Sequence, residues 1–592
     1  MKNEILKLGV MVFLTVFFGS CNDDFLERYP LDQLASETYW NNETELRNYN
    51  NGLYGILSND ENYPILMGLG PGAGVRYYTG IWWQDEMSDN LAPTNSRAEE
   101  FYKIRFCKHV VQTASRPTGW RGWDLIRNIN FGLANYDRAD VSEEIKNKYK
   151  AEARLFRGMF YAEKVSKFGD VQWVDKVLNI DDEDILNGAR DSRDFVMDKV
   201  MEDLDFAVAH LPTNWGDGQD PSRVDKWTAL AAKSRICLFE GTWRKYHGLA
   251  NADKWLNACV ASSKELMDNG GFTLYKTGHP ESDYRHHLWQ KSQEGNPEVI
   301  YWRKYEEGNN SHFASRLFLN YNGGATKSFV EDVLCNDGKP ITLSDQYAGD
   351  AKIEDVFMNR DPRLRQCVLH PADKVALMYP NDTRTYPRIT GMSGGGNTSN
   401  TGYHVIKHWN AADEIMPRDF HTCSPPAYRL AEVLLNYAEA KAVLGTINQA
   451  DLDITINKLR DRVAMPHLTM NPPMDPRYAN DGVSALMVEI RRERRVELFL
   501  EGHRYHDIRR WKQGKKFEES DYGILWDATA KARFPSAQVK TATINGKPYI
   551  DVRTSWTAFY SNPVWNDKMY LWPLPLEALA QNPNLKQNPG WE

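Results

Sequence analysis

Glu489, Glu493, Glu497 and Glu501 recur at a spacing of four, so a helix would carry their carboxylates on one side, about 6 Å apart along its axis. That is near the separation of the two carboxyl groups of a glycosidase. A catalytic pair, however, flanks the scissile bond from opposite sides of a cleft, and a single helix stripe cannot do that. Like charges at this spacing repel, so the stripe needs cations. Arg491, Arg492, Arg494, Arg495, Arg504, Arg509 and Arg510 stand among the glutamates or just after them. The expected role is a structural ion-pair network that locks this C-terminal helix to the rest of the fold.

Other chemical motifs lack their context. Gly68-Leu69-Gly70-Pro71-Gly72-Ala73-Gly74 imitates a phosphate loop but has neither the Gly-Lys-Ser/Thr ending nor a strand-turn-helix setting. His503, His506 and Asp507 could be drawn as metal ligands, yet no second ligand motif accompanies them. Asp181 to Asp184 is an acidic turn without the spacing or the glycine of a calcium loop. No cofactor is expected, and a structural calcium ion is not indicated. Cys107, Cys237, Cys259, Cys335, Cys367 and Cys423 form no disulfide framework and no Cys-x-x-Cys pair. Cys237 and Cys259 fall inside apolar helical patterns and read as buried thiols.

The elements that would position these groups are mostly helices. Three- and four-residue apolar spacing predicts helices over Glu152–Phe168, Asp194–Leu211, Thr228–Trp243, Trp255–Met267 and Tyr428–Leu444. Pro212, the Asn269-Gly270-Gly271 run and Gly445 stop three of them. Arg429 to Ala440 alternates small and large residues as tetratricopeptide-like helix pairs do. Strands should be few, with Glu298–Trp302 the best candidate. Two regions break the helical rhythm, at about 63–97 and 272–426, with Gly391–Gly402 a mobile loop by composition. The stretch Lys512–Tyr570 reads as irregular.

The formal net charge of −8 is spread rather than blocked, which argues against a nucleic-acid partner. With 19 Trp, 29 Tyr and 23 Phe, the chain has more rings than a core needs, and the surplus suits flat ligands such as sugars. At the N-terminus, Lys2 and Lys7 precede an apolar run, Leu8–Phe18, too short to span a bilayer and proportioned as a secretory signal. Gly19-Ser20-Cys21 then resembles a bacterial lipobox, in which the cysteine is acylated, palmitate being among the expected chains, and becomes the mature N-terminus. Asn22-Asp23-Asp24 resembles the surface-export signal of Bacteroidetes lipoproteins. Residues 1–20 are therefore expected to be a leader, and 21–592 one domain outside the cytoplasm.

The run Ile490 to Trp511 (IRRERRVELFLEGHRYHDIRRW) resembles the C-terminal signature of the SusD/RagB family. Arg429–Ala440 is similar to the family's preceding helix. Pro573-Leu574-Pro575, Asn582 to Leu585 and Gln587 to Trp591 resemble its usual ending, and Cys21 to Pro30 with Thr38-Tyr39-Trp40 its opening. The resemblance spans the whole mature chain. It implies a mostly α fold, about four tetratricopeptide-like units framing an irregular, loop-rich ligand-binding subdomain. It also implies a surface-exposed outer-membrane lipoprotein that is not an enzyme, binds oligo- or polysaccharide, and hands it to a SusC-type TonB-dependent transporter.

The resemblance does not fix the ligand, and it places ligand contacts in the variable regions. In the first, the candidates are Tyr77, Tyr78, Trp82, Trp83 and Asp85, followed by Glu86, Asp89 and Asn90. In the second they are Trp302, Arg303, Tyr305, His312, Tyr321 and Asn322. Rings against sugar faces, with Asp, Asn and Arg bonding hydroxyls, would make a shallow platform. The same architecture binding peptides or another nutrient is the alternative, since tyrosine and tryptophan also anchor peptides. A secreted glycosidase ranks last.

Overall fold

The computed structural model describes residues 39–57, 80–93, 103–115, 119–216, 222–307, 311–312, 323–373, 386–392, 398–409, 420–556, 560 and 562–592. Its frame is a succession of packed helices. These are α1 (Glu43–Leu53), α2 (Trp123–Asn135), α3 (Glu143–Phe168), α4 (Arg193–His210), α5 (Lys226–His247) and α6 (Ala252–Asn269). They are followed by α7 (Leu430–Val443), α8 (Ala485–Glu497) and α9 (Arg504–Arg510). From α3 to α8 each long helix packs on the next. The starts are set by local chemistry: Ser142, Ser192, Asp225 and Ser484 each accept a hydrogen bond from a backbone N–H of the first turn. α5 and α6 form a hairpin across a short turn at Gly248 (φ 76°). They approach closely because Gly241 has no side chain; a Cβ there would lie 2.7 Å from Leu256. The apolar faces of these helices form one continuous core, with Phe156, Phe160, Leu204, Leu230, Leu256 and Leu434 at its centre.

A second core lies under the loop-rich part of the chain, built from Phe329, Val330, Leu364, Val405, Ile524 and Ile550 among others. Short antiparallel ladders stitch it together. β1 (Leu91–Ala92) pairs with β3 (Gly324–Ala325), and β2 (Val299–Trp302) with β4 (Pro426–Arg429). β5 (Tyr522–Leu525), β7 (Lys547–Asp551) and β6 (Thr541–Ile544) make a sheet in that order. The run from α8 to α9 bridges the two cores: Ile490, Leu498 and Ile508 point into the helical one, Val496, Phe499 and Leu500 into the other.

Predicted helices and the predicted strand all form, with shifted ends. α3 starts earlier than its apolar spacing suggested, because Ser142 caps it ahead of the apolar stretch. The start of Tyr428–Leu444 is strand, since β4 pairs with β2 before α7 begins. The stretch Lys512–Tyr570, read as irregular, contains the three-stranded sheet. Its hairpin turns at Asn545-Gly546, both with positive φ (49° and 77°), a two-residue turn of the type these residues favour. In the Gly391–Gly402 loop, the described residues Ser399 and Thr401 are buried and Ser399 pairs with Ile389, so composition misjudged its C-terminal end. The six cysteines from Cys107 onward are buried and form no disulfide with one another. Among the described residues no helix is long and apolar enough to cross a membrane. Cys21 and the leader lie outside the described residues.

Candidate functional site

The first variable region enters the fold through a 3-10 turn, Trp82–Met87, closed by Ser88, whose N–H and hydroxyl both donate to the Asp85 carbonyl (3.0 and 2.7 Å). This turn and the residues just after it deliver three acids, Asp85, Glu86 and Asp89, into the protein rather than to solvent. Asp85 is fully buried; it accepts from the Asn90 amide at 3.0 Å and from the Gly502 N–H, and burial pushes its pKa up to about 7. Neither carboxyl oxygen of Glu86 has a partner, and burial holds the group well above its ordinary range, so it is carried as the neutral acid. For Asp89, burial alone would act the same way, but Arg495 and Arg504 outweigh it and hold the carboxyl far below its usual value.

Arg504 grips Asp89 in a two-bond fork, Nε to Oδ1 at 2.7 Å and Nη2 to Oδ2 at 2.8 Å. Arg495 reaches the same carboxylate at 3.2 Å, and donates to Asn90 Oδ1 (2.9 Å) and the Asp89 carbonyl (3.0 Å). The expectation that Asp85 meets ligand therefore gives way: it and its neighbours anchor the first variable region to the C-terminal signature. The spacing of Asp85, Asp89 and Asn90 could not reveal this, because their partners lie some four hundred residues away.

The two variable regions come together beyond that anchor. β1 pairs with β3, the Thr326 N–H donates to the Asn90 carbonyl at 3.0 Å, and the Asn400 amide to the Pro93 carbonyl at 3.0 Å. In the second region, Trp302, Tyr305 and His312 are buried. The His312 and Tyr305 rings meet edge to face at 4.6 Å, and His312 Nε2 bonds the Cys423 carbonyl at 2.8 Å. These three rings pack against protein and do not form the exposed platform their loop position suggested. Trp302 closes β2, all four of whose residues are buried, and Tyr305 and His312 follow it into the same packed region. Arg303 is half-buried and donates to the Leu57 carbonyl at 2.6 Å, tying the second region to the end of the segment after α1. Tyr77, Tyr78, Tyr321 and Asn322 lie outside the described residues. So do the side chains of Trp82 and Trp83, whose backbone forms the 3-10 turn.

The glutamate stripe is paired throughout, but not by the arginines first expected. Glu493 pairs with Arg363 and with Arg460 at 3.1 Å. Glu497 accepts from Arg462 (2.6 and 2.7 Å), Arg429 (2.7 Å) and Arg363 (3.1 Å), and Glu501 from Arg429 and from Lys407 (2.6 Å). Only Glu489 takes an arginine of its own helix, Arg492 at 3.1 Å. Three arginines of the helix reach outward: Arg492 also to Asp475 and Asp332, Arg494 to Asp507, and Arg495 to Asp332 and Asp89. The expected network is present, and it ties α8 to seven other segments, around Asp89, Asp332, Arg363, Arg429, Arg460–Arg462, Asp475 and Asp507, instead of neutralising itself. Glu298, at the head of β2, joins it through Arg429 (2.9 Å) and Arg462 (3.1 Å). Among the described residues no group of three or more His, Cys, Asp or Glu side chains is placed to hold a metal ion.

Sequence comparison matches residues 297–591 to the SusD family and residues 24–238 to a family described as starch-binding, associating with the outer membrane. The chain belongs to the SusD/RagB family. It is 25% identical to the SusD-like protein P25 of Formosa agariphila, over 99% of this chain and 98% of that one. A SusD-like protein of Bacteroides ovatus is 22% identical, over 100% of this chain and 98% of the relative. Among solved structures, a SusD-like carbohydrate binding protein of Bacteroides fragilis superposes with a TM-score of 0.72 at 22% identity, covering 93% of this chain and 100% of that one. A laminarin binding SusD-like protein gives 0.56 at 17%, with 93% and 100% coverage. The frame is thus the mostly helical, tetratricopeptide-like fold of that family.

Proposed function

We propose that this protein is a non-catalytic, glycan-binding lipoprotein of the outer membrane. In this reading residues 1–20 are removed, Cys21 carries the lipid, and the domain faces outward. It captures oligo- or polysaccharide and delivers it to a SusC-type TonB-dependent transporter.

The observation that carries the reading is the ladder between Leu91–Ala92 and Gly324–Ala325. It joins the two aromatic-rich variable regions at one place on a rigid helical frame, where binding loops belong. That two structural neighbours are a carbohydrate binding and a laminarin binding protein supports the choice of ligand class. The glutamate stripe speaks against a glycosidase, because each carboxylate is bound by a cation and none faces a partner across a cleft. With Asp85, Trp302, Tyr305 and His312 inside, the ligand contacts we propose are Tyr77, Tyr78, Trp82, Trp83, Tyr321 and Asn322, with Arg303 at the edge.

The test is calorimetry of the chain from Asn22 onward against plant, host and microbial polysaccharides, with Trp82→Ala and Tyr321→Ala alongside. Saturable binding to a glycan, weakened by either substitution and without release of reducing ends, is the expected result. Silence across the panel, together with binding to a peptide library, would replace glycan by peptide. Loss of labelled palmitate and of membrane association in Cys21→Ala checks the anchor.

A further inference from the structure

Between α3, α5 and the loop that leads from α8 into α9 lies a cavity of about 160 Å³. One wall is apolar: Met159, Met197, Ile236 and Phe239. The other carries many charged groups, but most are already spent. Arg235 forks onto Glu432 (2.6 Å twice), Arg494 and Arg510 bind Asp507, Glu240 is held by Arg193 and Arg244, and Glu501 by Arg429 and Lys407.

What remains on offer is a small, specific set: His503, His506, Gln84 and Glu163. Neither imidazole, nor the Gln84 amide, has a hydrogen-bond partner among the described residues. Glu163 is engaged by Lys167 alone, at 2.6 Å. Burial keeps both imidazoles neutral, His506 lowered to about 4. A neutral imidazole presents one donor and one acceptor, an amide both kinds, and a carboxylate only acceptors. The cations on the lining, Arg235, Arg494 and Arg510, are each already paired with a carboxylate, which disfavours an anion. The volume lies below the ~300–1,000 Å³ of pockets for drug-sized molecules, leaving room for about one ring.

We propose that this cavity is a second binding site, for one neutral, hydroxyl-rich ring such as a monosaccharide or cyclic polyol. The apolar wall takes the face of the ring, and His503, His506, Gln84 and Glu163 bond its hydroxyls. Among the described residues it shares none with the loop surface proposed for polysaccharide, and the Trp82→Ala arm below tells the two readings apart.

Titration of the chain from Asn22 onward with D-glucose, D-galactose, D-mannose, L-fucose, D-xylose and myo-inositol, followed by calorimetry, tests it. At least one should bind with one-to-one stoichiometry. Ala162→Phe, which fills the cavity from α3, and His506→Phe should each weaken that binding by about tenfold or more, while His506→Gln, which keeps a donor and an acceptor, should retain most of it. Polysaccharide retention on an affinity gel should not change in any of them. If a buried substitution prevents folding, as judged by circular dichroism, Gln84→Ala at the partly exposed edge serves instead. No binding of any of the six, binding untouched by these substitutions, or binding abolished by Trp82→Ala would each overturn the proposal.

Discussion

Asp89 and Arg504 form a buried, two-bond ion pair across 415 residues of sequence, and through it the first variable region is fastened to the C-terminal signature. Asp89→Asn should cost on the order of 3–5 kcal/mol in urea unfolding, because Arg504 would stay buried with its counter-charge gone and Arg495 would keep only Asp332. The pair also sets an acid limit. Asp89 is held below its unfolded value near 3.8, so its contribution is complete above that pH and is lost as pH falls below it. The wild-type advantage over Asp89→Asn should therefore shrink between about pH 4 and pH 2.

Glu86 behaves in the opposite sense. The folded state keeps its proton while the unfolded chain releases it near pH 4.5, so the group costs stability increasingly as pH rises from there. Glu86→Gln should remove that dependence, with a difference from wild type that grows from pH 5 to pH 8 in denaturant midpoints. Glu86→Leu should raise stability by about 1 kcal/mol or more, since two unpartnered buried oxygens are removed.

Within the stripe, the glutamates are unequal. Glu497 faces Arg363, Arg429 and Arg462, whereas Glu489 has Arg492 and, at 3.9 Å from an Oε2 that makes no hydrogen bond, a distant Arg460. Glu497→Gln should destabilise by about 3 kcal/mol or more and Glu489→Gln by distinctly less, read from the same urea titrations.

Gly502 is a fourth check. Its φ of 79° disfavours any side chain, and a Cβ there would sit 2.8 Å from the Ile81 carbonyl oxygen. Gly502→Ala should lower stability by roughly 1–3 kcal/mol and shift the signals of residues 81–85 in nuclear magnetic resonance, because the same residue's N–H supports Asp85.

Much of this architecture was legible in the chain. Periodicity located the long helices because their buried faces recur at helical spacing, and the family signature identified the frame. The glutamates could be read as structural from charge repulsion alone. Their partners could not, because Arg363, Arg429, Arg460 and Arg462 are close only in three dimensions. For the same reason Asp85 and Asp89 looked like ligand contacts. Trp302 misled because the short β2 offers no alternation to read, all four of its residues being buried, and Tyr305 and His312 because the segment around Ser424 and His421, more than a hundred residues on, packs against them. The hairpin at Asn545-Gly546 was readable, its turn dipeptide lying between Thr541–Ile544 and Lys547–Asp551.

The joint between Asp89 and Arg504 also constrains the order in which the molecule can be completed. A chain that leaves the ribosome, or crosses a membrane, from its N-terminus presents Asp89 long before its partner exists. Until the last ninety or so residues arrive, the acidic turn has nothing to close on, and the second core lacks Phe499, Leu500 and Ile524. Closure of that turn and of the second core thereby waits on the C-terminal segment, while most of the helical core is supplied by residues that come earlier.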